Sequence, residues 1–310
     1  MKVLYTVLIF TLLIGCKSMN NDTSIPPPSI MRILVLGDWG RYGQYAQKQV
    51  AQQMNNTAKN EPIDFVIATG DNFYEDGVKD LNDPHWQQSY EQIYTGDKIQ
   101  KDWFVILGNH DYSGNPTAEL NYHQINKRWN MPSRYYSFAK SLANNTSVRF
   151  IFLDTTPFIN EHRNNSAKHS DILNQNTTAQ LKWLDSTLYA SKETWKIVIG
   201  HHPIYSAGTG RGNQPEMIDL IKPLLEKYKV QLYIAGHSHN SQYIKRPDSK
   251  VDYMVAAAGA YANDMVRPNP DLLFGTNQPS FSMLTITPTS LKSSIIDTTG
   301  TVVFHKEIIK

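Results

Sequence analysis

The 310-residue chain has one cysteine, Cys16, so no internal disulfide can staple it. Its stability has to come from a packed core, and 40% hydrophobic residues over that length allow a sizeable one. It has little net charge: 30 Lys and Arg against 28 Asp and Glu leave +2, with no basic run or stripe. That argues against electrostatic binding of nucleic acid. There is no internal repeat, and no composition break between residues 30 and 310, so one domain is the simplest organisation there. The N-terminal apolar run, "VLIFTLLIG" at 7–15, is too short to span a bilayer comfortably.

That run follows Lys2 and ends at Cys16, the pattern of a signal-peptide core. "LLIGC" (12–16) resembles the lipobox of bacterial lipoproteins. The resemblance implies a signal peptide over 1–15, cleavage before Cys16 and lipid on the Cys16 sulfur. Acyl chains would hold the protein at a membrane surface without spanning it. Residues 16–29, polar and then Pro-rich, read as a flexible tether. The expected location is outside the cytoplasm, lipid-anchored to a bacterial-type cell-envelope membrane, periplasmic or at the cell surface.

From residue 31 onward apolar strands alternate with helical stretches. "MRILVLGD", "IDFVIATGD", "DWFVILGNHD", "VRFIFLDT", "TWKIVIGHHP", "VQLYIAGHSH" and "DYMVAAAG" read as strands. Residues 42–59, 177–191 and 214–229 have helical periodicity. The tail from Phe281 carries short β-type runs. Near-continuous apolar strands separated by helices imply α/β sheets covered by helices, with a mixed or second sheet from the tail.

Five strands end in polar groups: Asp38, Asp71, Asn109-His110, His201-His202 and His237-x-His239. In an open α/β sheet, ligands bind beyond the carboxyl ends of strands. A single Gly-Asp ending is ordinary turn chemistry, but histidine is not a favoured turn residue, and five such endings point to a shared metal site. Mixed carboxylate, amide and imidazole donors suit Fe, Zn, Mn or Ni. There are too many for one tetrahedral ion. They match two ions about 3.5–4 Å apart with a carboxylate between them, an arrangement used for phosphoryl chemistry.

"GDWG" (37–40), "GDNFY" (70–74), "GNHD" (108–111), "GHHP" (200–203) and "GHSH" (236–239) occur in the order of the calcineurin-like metallophosphoesterases. With Tyr74 in place they resemble the purple acid phosphatases, in particular the small tartrate-resistant type. The resemblance extends to "MPSRYYSF" and "AAAGAY". It implies a four-layer αββα sandwich of two mixed sheets flanked by helices. It also implies Fe(III) on Asp38, Tyr74 and His239, a divalent Fe, Zn or Mn on Asn109, His201 and His237, and Asp71 bridging. His110 would face the phosphate as a catalytic outer-sphere group. His202, beside a ligand, is a second catalytic candidate. The implied activity is hydrolysis of phosphate monoesters, on small molecules or phosphoproteins, by a metal-activated hydroxide attacking in line with no phospho-enzyme. The alternative is a phosphodiesterase or nucleotidase of the same superfamily with two divalent metals. A degenerate, non-catalytic site would lack a ligand, and none is missing.

Three departures from the family pattern stand out. Ser238 replaces the acidic residue often found in the last motif, and should point away from the metals. "SAGTGRGNQ" (206–214) lacks the acidic residue and histidine that the animal enzymes carry there, leaving the leaving-group acid unassigned and Arg211 as a possible phosphate contact. Tyr112 stands where another histidine is common and is expected to alter the pocket. Asp111 and Asp154 are candidates either to orient imidazoles or to serve as turn or cap residues. His85, His123, His162, His169 and His305 read as surface residues, and residues 159–176 as an exposed loop.

Overall fold

The computed structural model describes residues 27–169 and 171–310. In it, β1 (Met31–Leu36), β2 (Phe65–Ala68), β3 (Trp103–Val105) and β4 (Trp129–Asn130) run parallel in one sheet. The second sheet contains β5 (Tyr136–Leu142), β6 (Thr146–Phe152), β7 (Trp195–Ile199) and β8 (Leu232–Ala235). It is completed by β9 (Ser241–Lys245), β10 (Asp252–Ala256) and β11 (Leu272–Thr276). The chain then returns to the first sheet as the meander β12 (Ser280–Ile286), β13 (Ser290–Asp297) and β14 (Val302–Ile309). The sheets have seven strands each, in the orders β14-β13-β12-β1-β2-β3-β4 and β11-β9-β10-β8-β7-β6-β5. This is the expected sandwich of two mixed sheets.

Strand periodicity explains the layers. Ile33, Val35, Phe65, Ile67 and Leu284 face inward and meet Phe150, Ile197, Leu232, Ile234 and Met254 of the other sheet. The alternate residues Leu34, Leu36, Val66 and Ala68 are also buried, under Val50, Ala51, Met54 and Ala58 of the helix Gln47–Asn60. The outer face of the second sheet is covered by the helix Thr177–Ala190 and by residues 215–227. The central strands β1, β2, β7, β8 and β10 are buried on both faces, which is why they read as continuous apolar runs. The stretch 214–229 is two helices rather than one, Pro215–Leu220 and Lys222–Lys227. Pro223 has no N–H to donate to the preceding turn, and its ring crowds that turn's carbonyl.

Three histidines expected at the surface are buried: His85, His162 and His169 are 2%, 8% and 4% exposed. His123 and His305 are exposed as expected. His85 stacks on Tyr42 at 3.8 Å and packs edge-on to Phe73. Burial pushes its imidazole down to about 4, against an opposing pull from Asp83. The unfolded chain therefore binds a proton more readily than the folded one. Stability from this group is complete above the unfolded value of about 6.5, declines as pH falls, and levels off below about 4. We expect wild-type protein to lose on the order of 2 kcal/mol more stability between pH 7 and pH 4 than His85→Leu. Urea unfolding of both proteins at the two pH values checks this; equal losses would contradict it.

Among the described residues no helix is long and apolar enough to cross a membrane. Cys16, the expected signal peptide and most of the expected tether lie outside the described residues. The last part of the tether touches the domain, where the Ala143 N–H donates to the Pro28 carbonyl at 2.8 Å.

Candidate metal centre

The carboxyl ends of β1, β2 and β3 in one sheet and of β7 and β8 in the other open onto one edge of the sandwich. The loops that leave β1, β2 and β8 turn sharply. Asp38, Asp71, His237 and His239 all have left-handed backbone, with φ of 60°, 47°, 72° and 45°. Such conformations cost roughly 1–3 kcal/mol each in non-glycine residues and persist where the surroundings over-determine them. The surroundings here are close. Trp39 Nε1 donates to Asn72 Oδ1 at 3.2 Å, tying the first motif to the second. A side chain at Gly108 would sit 2.2 Å from Asp71 Oδ1, and one at Gly70, itself at φ +88°, would sit 2.8 Å from His201 Nδ1. Both glycines let backbone approach where a Cβ would fill the space between donors.

All seven residues expected as ligands come together. Tyr74 Oη lies 2.9 Å from Asp38 Oδ1, 2.8 Å from Asp71 Oδ2 and 2.9 Å from His239 Nε2. His239 Nδ1 faces Asn263 Oδ1 at 3.2 Å, so its proton sits on Nδ1 and its Nε2 presents a lone pair. Three acceptors thus converge on a phenol with one proton to give. Protein atoms alone leave that cluster unsatisfied, and a cation among the four oxygen and nitrogen atoms satisfies it.

The second group repeats the pattern. Asn109 Oδ1 is 3.2 Å from His201 Nε2 and 3.0 Å from His237 Nδ1. His201 Nδ1 lies 2.9 Å from the Thr69 carbonyl, to which it donates, leaving Nε2 facing Asn109 and, at 3.3 Å, Asp71 Oδ1. Asp71 therefore reaches both groups, one oxygen to each. Burial alone would push His201 down. The carboxylates of Asp71 and Asp38 and the Thr69 carbonyl outweigh it and hold the imidazole up at about 9. In the metal-free chain a proton thus takes the position a cation would neutralise. Burial, then the carboxylates of Asp38 and Asp71, push the Tyr74 phenol well above its ordinary value, so metal entry has to release protons. The donor set, hard oxygens with imidazoles in two groups sharing a carboxylate, fits a pair of transition-metal ions.

The flanking candidates sort differently. His110 is not among the converging donors: its Nδ1 bonds the Glu75 carbonyl, its ring lies 4.4 Å from Tyr74, and its Nε2 is 4.0 Å from Asp71 Oδ2. His202 has both ring nitrogens engaged, Nδ1 with Thr155 Oγ1 and Nε2 with His162 Nε2, each at 3.0 Å. Asp111 does not orient an imidazole. Its carboxylate accepts the Asn72, Phe73 and Gly108 backbone N–H groups at 2.8, 3.2 and 2.7 Å and so shapes the loop of Asp71. Asp154 accepts the Tyr112 hydroxyl at 2.5 Å. Tyr112 is fully buried on that carboxylate and on Arg134, so it does not line the pocket. Ser238 turns away from the donors to Ser206 Oγ and the Arg211 carbonyl.

Two groups that sequence reasoning missed adjoin the site. The Arg41 guanidinium lies 3.5 Å over the Tyr74 ring and is 7% exposed. Most of the described residues in 159–176 are exposed, as expected, but the stretch is not all loop: the helix Asn160–Asn164 carries His162 inward, and Ile159, His169 and Ile172 are buried with it. His162 lines a cleft of about 470 Å³ with Asn109, Glu161, Arg211, Gln214 and His237. Nothing in the local sequence marks His162, because its role depends on a neighbour 40 residues away.

This fold and these paired donor groups define a binuclear metallophosphoesterase. The calcineurin-like phosphoesterase family model matches residues 31–241. Purple acid phosphatase 3 of Arabidopsis thaliana is 37% identical over 284 residues, covering 88% of this chain and 76% of the relative. Tartrate-resistant acid phosphatase type 5 of Rattus norvegicus is 33% identical over 271 residues, covering 84% and 80%. The chain belongs to the calcineurin-like phosphoesterases and, within them, to the purple acid phosphatases, hydrolases of phosphate monoesters with a binuclear metal centre. Among solved structures, GAP50, the anchor in the inner membrane complex of Plasmodium, superposes with TM-score 0.79 at 27% identity, covering 91% of this chain and 90% of that one. Purple acid phosphatase PPD1 from yellow lupin (Lupinus luteus) seeds shares the fold at TM-score 0.68 and 17% identity, covering 92% of this chain and 55% of that one.

Proposed function

We propose that this chain is an acid phosphatase, exported and lipid-anchored through Cys16, that hydrolyses phosphate monoesters with an Fe(III) ion and a divalent Fe, Zn or Mn ion. Asp38, Tyr74 and His239 hold the first, Asn109, His201 and His237 the second, and Asp71 serves both. The observation that carries this reading is the convergence of three acceptors on the single Tyr74 hydroxyl. When bound, the metal pair supplies hydroxide from water near neutral pH and neutralises charge on the phosphate.

The remaining work belongs to side chains. The Tyr74 phenolate, a hard anionic oxygen, favours a trivalent ion over a divalent one, and Arg41 stabilises its charge from above the ring. His110, partly exposed beside Tyr74 and Asp71, is placed to donate to phosphate oxygens. The Arg211 guanidinium has no hydrogen-bond or ion-pair partner among the described residues and lines the cleft, where it attracts an anionic substrate. No Ser or Cys nucleophile takes part, so the phosphoryl group is never carried on the protein.

The test is the visible absorption spectrum of the purified protein, with metal content and hydrolysis of 4-nitrophenyl phosphate and bis(4-nitrophenyl) phosphate on the same sample. We expect a broad band near the middle of the visible range, iron with a second metal, and preference for the monoester. A colourless protein holding two divalent ions after iron loading and mild oxidation, and preferring the diester, would replace this reading with the diesterase alternative.

A further inference from the structure

The Thr155 hydroxyl oxygen accepts two backbone N–H groups, from His201 at 3.1 Å and His202 at 3.0 Å. Both of its acceptor positions are thereby used, so its own proton goes to the remaining neighbour, His202 Nδ1 at 3.0 Å. His202 then carries its proton on Nε2 and donates to His162 Nε2, also at 3.0 Å. His162 in turn keeps its proton on Nδ1.

His162 Nδ1–H has no hydrogen-bond partner among the described residues, and its ring forms part of the cleft wall beside Asn109, Arg211 and His237. The helix that holds it is itself fixed: the Asn160 N–H donates to Glu216 Oε1 at 3.0 Å, and His169 packs on the His162 ring at 4.7 Å. Residues 206–214, meanwhile, bring no imidazole or carboxyl side chain to this wall. Their backbone is tied down by Asp264, which accepts the Gly210 and Arg211 N–H groups at 2.7 and 3.0 Å.

We propose that His162 is a substrate-binding residue, its Nδ1–H donating to a phosphoryl oxygen in the cleft, and that Thr155 and His202 are positioning residues that hold it in that tautomer. This rests on the phosphomonoesterase reading, and it moves the phosphate-side histidine of the wall from residues 206–214 to the helix Asn160–Asn164. The relay also gives His202 a purpose that does not involve a metal. Its two nitrogens transmit an orientation from one hydroxyl to one donor.

The amide nitrogen of Asn superposes on imidazole Nδ1 and that of Gln on Nε2, so the two substitutions separate the two ring positions. The probe is inorganic phosphate, bound to the metal-loaded full-length chain, with metal content measured on every variant. With wild-type metal content, we expect His162→Ala and His162→Gln to weaken phosphate binding about tenfold, the scale of one hydrogen bond to a charged acceptor. His162→Asn should stay within about threefold of wild type. Thr155→Val, which frees the His202 tautomer, should fall between. Wild-type phosphate affinity in His162→Ala at full metal content would overturn the proposal, as would equal losses in His162→Asn and His162→Gln. A wild-type chain that holds metal but neither binds phosphate nor cleaves monoesters would overturn the functional reading as well, so the two failures are distinguishable.

Discussion

Asp71→Asn is expected to lower kcat for phosphate monoesters on the order of 1,000-fold or more and to reduce metal content from two ions to fewer than one per chain. Asp71 is the residue whose two oxygens reach the two donor groups separately, Oδ2 to Tyr74 at 2.8 Å and Oδ1 to His201 at 3.3 Å. Its Oδ1 also accepts the His110 N–H at 2.9 Å. An amide keeps the shape but removes the charge, and its NH₂ has to face either the Tyr74 side or the His110 N–H. Burial opposes ionisation of Asp71, yet His201 and His110 hold its carboxyl well below the usual carboxylate range. It is therefore anionic and available to metal throughout the working pH range. Metal analysis after dialysis, with kcat on the same preparation, checks the outcome. Retention of two ions with near-normal kcat would remove Asp71 from the bridging position.

Tyr74→Phe is expected to abolish the visible band completely while leaving much of the metal in place. The loss of kcat should be smaller than for Asp71→Asn, about 10- to 100-fold. The substitution deletes one oxygen from a group in which Asp38, Asp71 and His239 remain. Phe preserves the ring on which Arg41 lies and which is buried at 2% exposure, so the fold is not put at risk. It also relieves the crowding of three acceptors around one hydroxyl, so the metal-free variant should be at least as stable as the metal-free wild type. Absorption spectra at matched iron content and thermal unfolding after chelation check both statements. A band that survives in Tyr74→Phe would mean that another oxygen supplies the colour.

The converging donors other than Tyr74 were legible in sequence because each follows an apolar strand directly, and parallel strands deliver their carboxyl ends to one edge. Asp38, Asp71, Asn109, His201, His237 and His239 needed only that rule to be collected. The sandwich was legible for a related reason: strands covered on both faces carry continuous apolar runs, and seven such runs with helical stretches between them leave few alternatives. Burial was not legible in sequence where a residue's environment depended on a distant partner. His85, His162 and His169 sit in polar stretches and looked exposed, yet their burial is set by Tyr42, His202 and the packing of residues 159–172. Asp111 and Tyr112 stand beside the Asn109-His110 strand ending, and the sequence left Asp111 open between an imidazole and the loop backbone; the short helix Asn109–Ser113 turns both into the core. Pro223 was a local signal that the helical periodicity of 214–229 concealed.

The sequence by itself determined the chemistry of the centre, because donor type, spacing from strand ends and order along the chain are local properties that a sheet translates directly into position. Only the tertiary structure decided which nitrogen of each imidazole is engaged by a partner from another segment and which is left to the converging donors or to the cleft wall. Those assignments follow from hydrogen-bond partners contributed by other segments: Thr69 for His201, Asn263 for His239, and Thr155 through His202 for His162. A tautomer depends on the whole network around a ring, and that network exists only once the two sheets have packed.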